Sequence, residues 1–281
     1  MSSTICVKIT SGSLGDTLAW VPYVDLLQKQ KGVSVTCCCN FPELFKSSYP
    51  QINFVDHQHE EVYDYTIDWG FRNDVPLQQI ASDSLNFPYK EIRPKVDVEK
   101  SPRPIKGKYV CIATQSTAQA KYWNYTNGWN FVVKHLKRKG YKVVVIDKYY
   151  SYGNEDRGYM NVCPKGVINK TGEFPLSERI QYLKHCSFFI GLPSGLSWLA
   201  WAVGKPVIMI SGFSEPYSEF ECNRIYPSSG CRGCWNKFKF DSSDWLWCPS
   251  DEKTKRFECT RSIPPSLVYK EISKIERFLQ K

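Results

Sequence analysis

Short apolar runs and stretches of helical spacing alternate along this chain. Ile5-Cys6-Val7-Lys8-Ile9 is apolar and β-branched, which predicts a strand, and Thr10 to Gly15 has the composition of a turn. Apolar residues at Leu18, Val21, Tyr23, Val24, Leu26 and Leu27 then give residues 16–30 a helical pattern that stops near Gly32, and residues 33–39 predict the next strand. The rhythm restarts later, with strands predicted at 109–113, 141–147, 187–192 and 207–210, and helices at 129–139, 176–185 and 194–203. Such alternation is the pattern of parallel sheets flanked by helices.

Between the two blocks, residues 93–104 carry Pro94, Pro102 and Pro104 among charged side chains, the composition of an interdomain linker. The predicted architecture is α/β: two Rossmann-like lobes, residues 1–100 and 101–262, and an amphipathic helix over 263–281 that packs back across them. Open parallel sheets bind ligands beyond the carboxyl ends of their strands, so two such lobes leave a ligand cleft between them.

Length and composition narrow the class. The 281 residues suffice to bury a core in each lobe. No apolar run approaches the roughly 18 residues that span a bilayer. Residues 1–10 lack the basic start and apolar stretch of a signal peptide. Stable membrane insertion is therefore not expected, and the cytoplasm is the predicted compartment. The formal charge of +9 suits acidic partners. Lys and Arg are dispersed, however, and the basic run at 134–139 reads as the solvated end of a helix.

Three segments carry candidate chemistry. In the first, Gly12 and Gly15 allow a tight turn beside a ligand, with Ser13 and Asp16 at the start of the helix. Free amides there favour an ionised carboxylate, and a carboxylate in a cleft can take the proton of an attacking hydroxyl. A plain N-cap is the commoner use of Asp at such a place. The glycines do not make the G-x-G-x-x-G fingerprint of dinucleotide enzymes. In the second, Lys121 ends a polar stretch that follows a strand, where it either meets phosphate as a mobile point charge or faces solvent. In the third, Pro193-Ser194-Gly195-Leu196-Ser197 turns from strand to helix and exposes amides suited to a diphosphate. An ordinary βα turn is the alternative reading.

In this order, SGSLGDTLAWVPY, STAQAKYWN and GLPSGLSWLAWAVGKPV resemble the lipopolysaccharide heptosyltransferases and their relatives, the bacterial autotransporter heptosyltransferases, over nearly the whole chain. The resemblance implies a GT-B fold and an inverting glycosyltransferase. It implies a nucleotide diphosphate heptose as donor, usually the ADP form, and no catalytic metal. It also implies Asp16 as general base, Lys121 as the phosphate-binding lysine, and Ser194, Gly195 and Leu196 as the turn that holds diphosphate and sugar. Ser13, Gly15 and Ser197 stand beside these in the implied nucleotide-sugar site. The lipopolysaccharide branch often has an acidic residue where this chain has Pro193, so recognition of the sugar hydroxyls is expected to differ. Autotransporter enzymes modify serines on β-solenoid proteins and carry an N-terminal domain ahead of the first motif. With Gly15-Asp16 so near residue 1, that domain is expected to be absent. The acceptor is then a protein serine, a saccharide or a lipid-linked hydroxyl, and an oligomer is compatible with each.

Eight of the twelve cysteines form no pattern; Cys37, Cys38 and Cys39, for example, read as small core residues. Cys231-Arg232-Gly233-Cys234, followed by Cys248 and Cys259, is different. Four soft ligands in one short segment predict a closed structural iron or zinc site, with free thiols or disulfides as the alternatives. The autotransporter branch carries a similar four-cysteine finger that holds iron. Basic and aromatic residues around the finger would also suit nucleic acid, but that reading leaves the two lobes unexplained and no nucleic-acid partner is expected. The competing functions are a nucleotide-sugar epimerase and a non-catalytic sugar-nucleotide binder or scaffold.

Overall fold

In the computed structural model, which describes residues 4–56, 62–70, 72–98, 102–227, 230–250 and 256–280, the first lobe contains β1 (Ile5–Ile9), α1 (Leu14–Lys31), β2 (Val35–Cys38), β3 (Ile52–Val55), β4 (Tyr65–Ile67) and α2 (Leu77–Ser84). Its strands form a parallel sheet in the order β3-β2-β1-β4. α1 begins two residues before the predicted helix because the Ser13 hydroxyl caps it, accepting the Asp16 amide at 3.2 Å. Gly32 ends it in the left-handed region, φ 65°. Leu18, Ala19, Trp20, Val21, Tyr23 and Val24 are all fully buried. A helix apolar on every side needs cover on every side, and α2 and α5 of the second lobe provide it.

The second lobe contains β5 (Tyr109–Ile112), α3 (Gly128–Arg138), β6 (Lys142–Val145), β7 (Ser151–Asn154), β8 (Tyr159–Val162), β9 (Ile168–Asn169), α4 (Leu176–His185), β10 (Phe189–Gly191), α5 (Gly195–Ala202), β11 (Val207–Ile210), β12 (Asn223–Ile225), α6 (Glu258–Arg261) and α7 (Pro265–Leu279). Six strands form a parallel sheet, β12-β11-β10-β5-β6-β9, and β7–β8 is a separate antiparallel hairpin. α4 and β11 match the predicted bounds. β3, β4, α2, the hairpin, β9 and β12 are too short or too mixed in polarity to stand out in the sequence.

Two expectations are corrected. The C-terminal helix does not return across the lobes: α7 packs on α3, β11 and β12, because Val268, Ile272 and Ile275 close over the core of the second sheet. Lys139 and Glu276, 2.7 Å apart, fasten it there. The proline-rich segment is also not a free tether throughout. The Asp97 carboxylate accepts the Ser47 and Ser48 amides at 2.8 and 2.6 Å, the Lys95 amide donates to the Tyr49 hydroxyl, and Val96 is buried. The chain therefore stays on the first lobe as far as Asp97; residues 99–101 lie outside the described residues.

One apolar core runs from the first sheet through α1 and α5 to one face of the second sheet, and another covers that sheet's far face. A third, smaller cluster of Ala120, Phe213, Cys234, Leu246 and Phe257 lies under the cysteine segment. Among the described residues no helix is long and apolar enough to cross a membrane.

Candidate active site

A cavity of about 880 Å³ lies between the lobes. The β1–α1 turn supplies Ser11, Ser13, Leu14, Gly15 and Asp16 to one side, and the second lobe supplies Lys121, Pro193, Ser194, Gly195 and Leu196 to the other. The fold thus brings seven of the eight predicted catalytic and nucleotide-sugar residues to one space from three separate segments. Ser197 is the exception. It is fully buried and its hydroxyl donates to the Leu192 carbonyl at 2.6 Å, so it braces the β10–α5 turn from beneath instead of lining the cavity.

The lobes meet at two glycines. A Cβ on Gly195 would stand 2.8 Å from Leu14 Cβ and 3.1 Å from the Gly15 amide nitrogen. The N-terminal ends of α1 and α5 can approach this closely only without side chains between them. Gly195→Ala forces the lobes apart or distorts the turn. Overpacking of this kind costs about 1–3 kcal/mol, so transfer and donor binding are expected to fall about 5–150-fold. Steady-state kinetics and calorimetry check this; unchanged kinetics in the Gly195→Ala variant would show that the seam does not matter.

Asp16 is the third helical residue of α1. Its carboxylate accepts the Ser11 hydroxyl at 2.5 Å, and Ser11 in turn accepts the Ser13 amide at 3.1 Å. Burial pushes the Asp16 carboxyl up, against the Ser11 and Ser13 hydrogen bonds and the Lys121 charge, which pull it down. Burial thus outweighs the hydrogen bonds and the lysine charge at this carboxyl. Burial likewise pulls the Lys121 ammonium down, opposed by Asp16 and Glu219. The Lys121 Nζ lies 5.5 Å from the Phe213 ring centre and 5.6 Å from that of Trp235.

Several cavity residues are missed by the sequence reading. Trp69 of the first lobe stacks on Trp235 of the cysteine segment, centroids 5.0 Å apart. Asp147, just beyond β6, accepts the Thr114 amide and hydroxyl at 2.7 and 2.9 Å and the Gln115 amide at 3.2 Å. It thereby anchors the start of the loop that carries Lys121. Burial pushes its carboxyl up to about 6. Its place at the end of the run Val143-Val144-Val145-Ile146 was the one available signal, since polar residues at carboxyl ends of parallel strands face ligand clefts.

The four late cysteines gather in one region. The Cys259 thiol hydrogen-bonds to Cys231, which holds Cys231 low, at about 6, and Cys259 high. Cys234 and Cys248 are close enough for their charge to act on Cys259. Gly233, at φ 67°, makes the knuckle, and a Cβ there would collide with the Glu215 carboxylate. Among the described residues, however, no three His, Cys, Asp or Glu side chains are set to hold an ion.

Residues 54–220 match glycosyltransferase family 9 (heptosyltransferase). The chain is 41% identical to the autotransporter heptosyltransferase TibC of Escherichia coli O78:H11 over 98% of its length and 72% of TibC. It belongs to the heptosyltransferases of glycosyltransferase family 9. A Citrobacter rodentium autotransporter heptosyltransferase, BAHTCr, is also 41% identical, over 99% of this chain and 72% of its own length. The inactive autotransporter heptosyltransferase BimC of Burkholderia thailandensis is 32% identical, over 96% of this chain and 68% of BimC. The crystal structure of TibC, described as iron-containing and dodecameric, superposes with a TM-score of 0.92 at 39% identity, covering 99% of this chain and 77% of TibC. A second TibC structure contains ADP-D-β-D-heptose. This heptosyltransferase fold is the two-lobed α/β arrangement described above, and membership makes the chain a glycosyltransferase.

Proposed function

We propose that this heptosyltransferase moves a heptose from ADP-heptose to a hydroxyl of an autotransporter-type protein, with inversion at the anomeric carbon. The observation that carries the reading is that a first-lobe carboxylate, Asp16, shares one cavity with a second-lobe cation, Lys121, and the amide-rich turn at 194–196. The Ser194 hydroxyl supports the anion site: it is buried with no hydrogen-bond partner in the protein, and buried polar atoms need one. The donor-bound TibC structure supports the ADP-heptose assignment, and the relatives' names support the acceptor class. Family membership favours transfer over epimerisation, and the presence of both Asp16 and Lys121 in the cavity favours an active enzyme over a silent binder.

In this reading the acceptor oxygen attacks the anomeric carbon from the side opposite the diphosphate. The new C–O bond forms as the bond to the ADP oxygen breaks, and Asp16 takes the hydroxyl proton. Lys121 and the 194–196 amides balance the charge left on ADP. Closure of the seam keeps water from the oxocarbenium-like centre.

Cys231, Cys234, Cys248 and Cys259 would hold a structural iron ion. Four clustered thiols beneath an aromatic cover have the right donor chemistry, and TibC is iron-containing. Bound iron would supply a cross-link for the segment and no step of transfer. The dodecameric state of TibC supports an oligomer here too.

The test incubates purified protein with ADP-heptose and an autotransporter passenger fragment, reading the acceptor mass. Addition of one or more heptoses supports the assignment; tight ADP-heptose binding with no mass change on any acceptor overturns it in favour of a silent binder.

A further inference from the structure

We infer that the cysteine segment sets the position of the Lys121 ammonium, and that Trp235 is the positioning residue that carries this coupling. The inference deepens the donor-site reading above and rests on Lys121 as its phosphate contact.

Lys121 closes a single tight turn, Gln119–Lys121, with little structure of its own. The cysteine segment grips that turn at each residue. The Gln119 amide donates to the Trp245 carbonyl at 3.1 Å. Ala120 is buried in the small core with Phe213 and Cys234. The Lys121 ammonium stands over Phe213 and Trp235. An aromatic face attracts a partly desolvated ammonium and fixes where it rests, which a flexible four-carbon stem alone does not.

Trp235 follows Cys234 directly, so the knuckle fixes its backbone. Its amide donates to the Phe213 carbonyl at 3.0 Å, and its carbonyl accepts from Asn73 of the first lobe. Its indole stacks on Trp69. One residue therefore touches the cysteine knuckle, the donor-site cation and the opposite lobe. A shift of Cys234 moves Trp235, and with it the surface on which the ammonium sits.

The test is a double-mutant cycle on the full chain, reading ADP affinity by calorimetry. Trp235→Leu keeps apolar bulk but removes the π face; Trp235→Phe restores one. We expect Trp235→Leu to weaken ADP binding about 3–30-fold, Trp235→Phe to recover most of the loss, and Trp235→Leu to add less than about twofold once Lys121 is already Ala. Cys234→Ser should show the same dependence on Lys121. A loss of equal size with and without Lys121, or no loss, overturns the inference. A wild-type protein that does not bind ADP overturns the donor reading instead. Where binding to the Lys121→Ala protein is too weak to measure, spectra of 13C-lysine protein decide. The Lys121 ε-methylene signal, assigned by its absence in Lys121→Ala, should be ring-shifted in wild type and return to the ordinary lysine position in Trp235→Leu. An ordinary position in wild type, or an unmoved signal in the variant, overturns the coupling.

Discussion

Asp16→Asn is expected to slow heptosyl transfer by about 10²–10⁴-fold, the usual contribution of a positioned general base. Donor affinity should stay within about twofold, because the amide keeps the size of the carboxylate and its acceptor oxygen for Ser11. The two measurements together separate a base from a carboxylate that only helps order the start of α1 around its Ser13 cap. Loss of the α1 cap interactions would lower the melting temperature and affect donor affinity and turnover alike. Loss of the base lowers turnover alone. The pH profile gives a third reading. Burial raises the Asp16 carboxyl, so the proton-accepting form is lost as pH falls, starting closer to neutrality than for an ordinary carboxylate. The rate should climb with pH through that raised value and then level, and the acid limb should vanish from the residual rate of the Asp16→Asn variant. Full turnover by that variant would remove the base assignment.

Lys121→Ala should weaken ADP-heptose binding by about 10–100-fold, the size of a lost charge-assisted contact to phosphate. It should slow transfer by about 10²–10³-fold, because charge on the departing diphosphate grows as the bond breaks. The larger effect on the rate is the diagnostic part. A lysine that only gathers substrate would change binding and leave the saturated rate alone. Arg should rescue only in part, because its planar, forked head does not place charge at the point where the ammonium rests over Phe213 and Trp235. Calorimetry with ADP-heptose and single-turnover rates check both halves, and unchanged affinity would count against the role.

The sequence made the site legible where each motif sits inside one strand-to-helix turn. Gly15-Asp16 and Ser194-Gly195-Leu196 are local, and the fold carries both turns to the same cavity. Ser197 lies in the same window, yet the helical period rotates it under the turn, toward Leu192. The helix start at Ser13 indicated that local donors would favour Asp16's charged form but carried no information on burial, which works against it. Trp69 and Trp235 meet from different lobes, and no periodicity links them. The proline-rich segment looked like a tether because composition reports charge and stiffness. It could not report that Asp97 would cap two amides of the first lobe. The cysteine spacing indicated that four thiols would gather, but not how closely.

The glycine seam has a consequence for how the molecule rests between turnovers. It sets the starts of α1 and α5 side by side, and both are positive poles. Like poles push apart, and Asp16, in the first turn of α1, tempers them. A polyanion arriving at the gap turns that push into a shared pull. In the proposed donor site, a diphosphate seated at that gap would answer both poles at once and tie the two halves through its own charge.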